Sequence, residues 1–229
     1  MQKTGKNILR EYFELIAETA VFVFFVMTFV VQAFQIPTGS MIPKLLVGDF
    51  LLVNKMAYAR PSSPLEGFLL PHKPMKRKDI VVFKWPQNLT KDFVKRVIGL
   101  EGDKVEIRAK QLYVNDEAID EPYKIHKDDQ AYSKDDAYHY DLAIRDNYGP
   151  IFVPAGNLFV MGDNRDESAD SRTWGFVPLN NIKGRPWVIY FSYEAERDAY
   201  LKTSFRERLK KIMNLIPKAR WRRILTFIN

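Results

Sequence analysis

The sequence predicts a mainly β protein: an antiparallel sheet or coiled barrel with a small inserted lobe, preceded by one N-terminal transmembrane helix. Three observations predict it. An apolar segment lies at residues 15 to 36, short runs rich in Val, Ile, Phe and Tyr follow it, and residues 116 to 148 are polar and poor in aliphatics. At 229 residues and 46% hydrophobic composition, the chain can bury a sizeable core.

The apolar segment, LIAETAVFVFFVMTFVVQAFQI, matches the roughly 20 residues needed to cross a bilayer core. Lys3, Lys6 and Arg10 precede it and Lys44 is the first cation after it, so the positive-inside bias places the N-terminus in the cytoplasm and the body outside. This divides the chain into a cytoplasmic stretch at 1–11 and an anchor at 12–35. A cleaved export signal is the competing reading, because Val31-Gln32-Ala33 has small residues where a processing enzyme inspects them. Either way the body is exported.

That body, 36–115 and 149–195, contains seven runs of strand length: DFLLVNKM, DIVVFKW, DFVKRVIGL, DKVEIRA, QLYVN, NLFVMGD and WVIYFSY. LEGDK at 100 to 104 and VNDEA at 114 to 118 read as hairpin turns. Residues 116–148 read as a surface lobe. The tail, 196–229, mixes cations with Leu, Ile and Trp, and fits either an amphipathic helix on a membrane or a packed C-terminal strand.

Charge sharpens the class. The formal +7 is uneven: Lys202 to Asn229 carries +8 and the first ten residues +3, leaving −4 on the body. Cationic ends beside anionic lipid headgroups account for this better than nucleic acid does. With no cysteine there is no disulfide, thiolate metal site or cysteine nucleophile.

Hydroxyl chemistry needs a base. The three histidines, His72, His126 and His139, lie in polar segments that support neither a Ser-His-Asp triad nor a metal site. The run GDNRDESADSR begins like a calcium loop at Asp163, but Arg165, Ser168 and Trp174 occupy positions that need other residues. What remains is a lysine neutralised by burial. In DFVKRVIGL, Lys95 shares one strand face with Phe93 and Val97, and Arg96 shares the other with Val94 and Ile98. Alternation does not choose between the two cations, but an ammonium can lose its proton and a guanidinium cannot.

Three stretches, FQIPTGSM after the span, DFVKRVIGLEGDKV, and FVMGDNRDESADSRTWGFVP, together resemble the bacterial type I signal peptidases, membrane-bound Ser/Lys endopeptidases that remove signal peptides from exported preproteins. The resemblance runs from about residue 12 to 192. It implies that Ser40 is the nucleophile, Lys95 the neutral general base, and the Ser40 N–H with the Thr38 hydroxyl the oxyanion hole; many family members carry serine where this chain has Thr38. It further implies that Ser168 orients the lysine, that Asp170 and Arg172 form a bracing ion pair with Asp163 among the supporting residues, and that Gly162 leaves room for the lysine chain. Ile36, Pro37, Phe93 and Val94 would form shallow pockets for an Ala-x-Ala site, with Met41 packed over it. No metal or organic cofactor is implied. The implied partners are preproteins and the bilayer of the plasma membrane, with a monomer expected. Two rivals share some of these features: a self-cleaving cytosolic repressor, opposed by the N-terminal span, and a non-enzymatic anchored β domain, opposed by the presence of both Ser40 and Lys95.

Overall fold

The computed structural model describes residues 8–58, 74–133, 135, 140–195, 204, 213 and 215–228. Helix α1, Ile8–Phe25, passes through a π-helical turn at Val26–Val30. Together Arg10–Val30 is long and apolar enough to cross a membrane, with a mean hydropathy of 2.0 and none of it buried. An apolar helix with no protein partner exposes Phe13, Phe22 and Phe24 to its surroundings, which is tolerable in lipid and costly in water.

The helix gives way directly to strand β1, Val31–Gln35. Composition places these five residues in the anchor, yet they pair antiparallel with β2, Asp49–Asn54, from Val31↔Asn54 to Gln35↔Phe50. An apolar run does not report where a helix ends and a buried strand begins; the partner strand decides it. The Lys55 ammonium donates to the Thr28 carbonyl and the Lys55 N–H to Val30 O at 2.9 Å, so two helix-end carbonyls are satisfied at the junction.

All seven sequence runs form strands. β3, Ile80–Trp85, pairs with β4, Asn88–Gly99. β5, Lys104–Arg108, and β6, Gln111–Val114, continue into β7, Glu117–Ala118; helix α2, Tyr140–Asp146, leads to β8, Tyr148–Phe152. β9, Asn157–Met161, is followed by the short helix α3, Ser171–Trp174, then β10, Val177–Pro178, β11, Ile182–Ser192, and β12, Thr226–Phe227. One sheet has the order β1-β2-β11-β3-β4-β9-β10, with β12 also on β11, and the second has the order β7-β6-β5-β8. Apolar residues of both, including Ile98, Val105, Leu112, Phe159 and Met161, fill a common core cluster.

The turns behave differently from each other. VNDEA is a hairpin whose Asn115 and Asp116 both have positive φ, 54° and 67°, the pair of conformations that a two-residue hairpin turn requires. LEGDK is not a hairpin: it carries the chain from β4 to β5 in the other sheet, with the Leu100 N–H donating to Asp103 Oδ2 at 2.8 Å. LEGDK has a single positive φ, at Gly102, and the strands it joins do not pair with each other.

Residues 116–148 are less superficial than their polarity suggests. Glu121 and Asp146 are buried, and Ile125 bridges to Asn164. At the other end, Ile228 enters the core cluster of Leu51, Val53 and Ile189, and Arg223 holds Asp49 at 2.6 Å. The described end of the tail is therefore a packed strand; most of the segment that reads as an amphipathic helix lies outside the described residues.

Candidate active site

Strand β4 places Lys95 opposite Val81 and Arg96 opposite Ile80, so adjacent cations enter opposite faces. Lys95 is 4% exposed, and its Nζ lies 2.6 Å from Ser40 Oγ. Burial pushes the amine down to about 8, against the opposing pull of the Asp170 carboxylate, with Arg172 adding to the depression. Ser40 is itself buried, on the turn that follows β1. Fifty-five residues of chain separate the two groups, and the sheet closes that distance.

Arg96 goes elsewhere. It forms a double hydrogen bond to Asp163, at 2.7 and 2.6 Å, donates to Lys78 O, and lies 3.9 Å over the Tyr123 ring. Burial raises the Asp163 carboxyl although Arg96 opposes it. The strand thus uses a permanent cation as a brace and a titratable one beside the hydroxyl.

The loop after β9 supports both. Asp170 caps α3 and makes two bonds of 2.9 Å to Arg172, while the Gly162 N–H donates to Asp170 Oδ2 at 3.1 Å. Burial alone would lift the Asp170 carboxyl, but the Arg172 charge and hydrogen bonds hold it below the usual carboxylate range. One resemblance-based expectation, the Ser168–Lys95 bond, changes here. A Cβ at Gly162 would meet Ser168 Oγ at 2.3 Å and Ser40 O at 2.5 Å, so only a hydrogen fits beside the groups around the nucleophile. Ser168 Oγ is buried and makes no hydrogen bond among the described residues, so the expected bond to Lys95 is not formed in this state.

A cleft of about 290 Å³ opens onto the pair. Ile36 and Met41 form buried walls, Phe93 and Val94 are half-buried, and Pro37 and Thr38 stand exposed at the mouth. Among the described residues no cluster of His, Cys, Asp or Glu is arranged to hold a metal. His126 pairs with Asp166 at 3.0 Å; His72 and His139 lie outside the described residues.

Sequence reasoning missed Arg165, whose guanidinium is buried against Glu121, and Asn164, which bonds the Gly39 and Ser40 carbonyls. Both sit in the acid-rich run GDNRDESADSR. Their excess of hydrogen-bonding groups was visible, but the partners, from the lobe and from the turn at Ser40, are distant in sequence.

Fold and site define a class: an anchored β protein with a hydroxyl set against a buried amine, the plan of a serine peptidase. The profile of the family described as "Signal peptidase, peptidase S26" matches residues 9–191. Signal peptidase I of Aquifex aeolicus (strain VF5) is 35% identical over 74% of this chain and 79% of its own length. That of Pseudomonas aeruginosa is 34% identical over 84% and 76%, and that of Bacillus caldolyticus 36% over 72% and 82%. The chain belongs to the S26 signal peptidase family. Its class is that of a membrane-anchored serine peptidase acting on signal peptides.

Proposed function

We propose that the chain cuts exported preproteins after small residues by a Ser/Lys mechanism, with Ser40 as nucleophile and Lys95 as base. The observation that carries this reading is the 2.6 Å contact between Lys95 Nζ and Ser40 Oγ in a buried setting. When the amine is neutral, the Ser40 O–H donates to Nζ; as Oγ attacks the scissile carbonyl the proton passes to Lys95, which returns it to the leaving amine. The oxyanion that forms is met by the Ser40 N–H and the Thr38 hydroxyl. The Asp170–Arg172 and Asp163–Arg96 pairs keep four charges internally neutralised around the amine.

Substrate shape follows from strand geometry. β4 pairs with β9 only from Arg96 onward, so among the described residues no strand pairs with the edge of Asn88–Lys95 away from β3, which suits an extended peptide. Side chains alternate along such a peptide, so the first and third residues before the cut face the cleft and the second faces away. Walls at Ile36, Met41 and Val94 leave shallow depressions suited to alanine. Lys3, Lys6 and Arg10 hold the N-terminus in the cytoplasm, which sets the cleft on the outer side of the plasma membrane, close to where a signal peptide leaves the bilayer. The enzyme acts as a monomer without metal or organic cofactor.

The test is cleavage of a preprotein bearing an Ala-x-Ala site, in liposomes, by wild type, Ser40→Ala, Lys95→Ala and Thr38→Val, with His139→Ala for comparison. Both dyad variants should be folded and inactive, and Thr38→Val should lose ~10²–10³ in rate. Activity retained by Lys95→Ala would overturn the mechanism.

A further inference from the structure

The least explained polar group around the nucleophile is Asn164. It is 1% exposed, lies between the end of β9 at Met161 and the 3-10 turn Arg165–Glu167, and makes no hydrogen bond to either the Ser40 hydroxyl or the Lys95 amine. Its backbone N–H donates to Ser40 O at 3.1 Å and its side-chain Nδ2 to Gly39 O at 3.2 Å. Nδ2 also reaches Glu167 Oε2 at 3.2 Å, and Glu167 in turn pairs with Lys127. The bridge to Ile125 fixes the backbone on its other side, through Ile125 N–H to Asp163 O at 2.9 Å and Arg165 N–H to Ile125 O at 3.0 Å. Two successive carbonyls of the nucleophile turn are thus held by one residue that is itself clamped.

The Gly39 carbonyl belongs to the same peptide unit as the Ser40 N–H. In a trans peptide the C=O and N–H point in opposite directions, so fixing one aims the other. Gly39 O faces the buried loop, where it accepts from Asn164 and, at 3.2 Å, from the Ile42 N–H. The Ser40 N–H makes no hydrogen bond among the described residues, as a donor reserved for a substrate oxygen must.

We propose that Asn164 is a positioning residue for the oxyanion hole: its side-chain amide holds the Gly39 carbonyl against the loop and so turns the Ser40 N–H towards the scissile carbonyl. The proposal rests on the Ser/Lys reading above. Asn164 touches neither substrate nor reacting atoms, and acts through the dipole of one peptide unit. Glu167, at the cleft rim, holds the same Nδ2 from the other side, so the amide is fixed between two acceptors.

The test uses the full chain in liposomes, with Asn164→Ala and the nearly isosteric Asn164→Asp. The Ala variant keeps the backbone bond to Ser40 O and loses the side-chain bonds to Gly39 O and Glu167 Oε2; the Asp variant sets an oxygen against the Gly39 carbonyl and carries the test if the Ala variant does not fold. Three quantities are read: kcat and KM on an Ala-x-Ala preprotein, the affinity of a matching peptide aldehyde, and that of the same peptide as a carboxamide. Ser40 O–H adds across the aldehyde C=O, with its proton going to Lys95, and the former carbonyl oxygen enters the oxyanion hole; the carboxamide forms no adduct. The expected result is a ~10–10²-fold loss in kcat with KM within about twofold, the same loss in aldehyde affinity, and unchanged carboxamide binding. Unchanged kcat in a folded variant, or equal weakening of aldehyde and carboxamide, overturns the proposal. If wild type neither cuts nor captures the aldehyde, the Ser/Lys reading itself fails and this proposal falls with it.

Discussion

Lys95 shows what burial does to a single ionisable residue. Its amine is lowered from 10.5 to about 8, so below pH 8 both the folded and unfolded chains hold the proton and the folded state bears the full cost of the buried charge. Between pH 8 and 10.5 the unfolded chain binds more protons than the folded one, so raising the pH stabilises the fold until the cost is gone. That cost is on the order of 3 kcal/mol by the usual conversion of pKa into free energy. Lys95→Met should therefore be inactive yet more stable than wild type at pH 7, and urea denaturation should show the difference closing by pH 10.5. In wild type, kcat/KM should climb about tenfold per unit below pH 8 and level off above it, since only the neutral amine accepts the Ser40 proton. A profile flat from pH 6 to 9 would remove Lys95 from the role of base.

At the scale of elements, β1 determines how the nucleophile turn is held. Among the described residues it is an edge strand with one partner, β2, and the chain passes from its end at Gln35 into the turn that carries Ser40. Beginning a soluble domain at Ile36, where hydropathy puts the end of the anchor, strips β2 of that neighbour and exposes its backbone edge. A chain starting at Ile36 should melt ~2–4 °C below one starting at Val31, a loss of about 1 kcal/mol, and cleave more slowly. Equal melting temperatures would mean that β1 contributes no stability. The strands themselves were legible, because β-branched and aromatic runs bounded by Gly, Asp and Pro have few other readings. The end of the anchor, the destination of LEGDK and the packing of the C-terminal strand were not, because each depends on a partner far away in sequence. Ile228, the residue after the last strand pair, lies in the core only because β11 is there to receive β12.

The whole molecule links a membrane helix to a cleft through a single strand. α1 and its π turn run without a linker into β1, and the Lys55 ammonium donates to the Thr28 carbonyl at the join, so helix and body are tied by a hydrogen bond as well as by the chain. With cations before the helix, the body should stand outside the cytoplasm. In sealed, right-side-out membrane vesicles, added protease should reach the body while a tag on the N-terminus stays protected. The opposite pattern would reverse the orientation.

The sequence by itself determined the class of elements and the chemistry on offer. A segment of this length and hydropathy is long and apolar enough to span a bilayer, the residue runs suit a sheet, and with cysteine absent and histidine poorly placed a lysine is the base on offer to a hydroxyl. The tertiary structure alone decided which groups meet. Alternation left Lys95 and Arg96 equivalent, and only the packing of the turn at Ser40 on one face of β4 and Asp163 on the other assigned the first to the serine and the second to the brace. It also placed Asn164 behind the Gly39 carbonyl, 125 residues away along the chain, where its amide has a task that no local pattern could disclose.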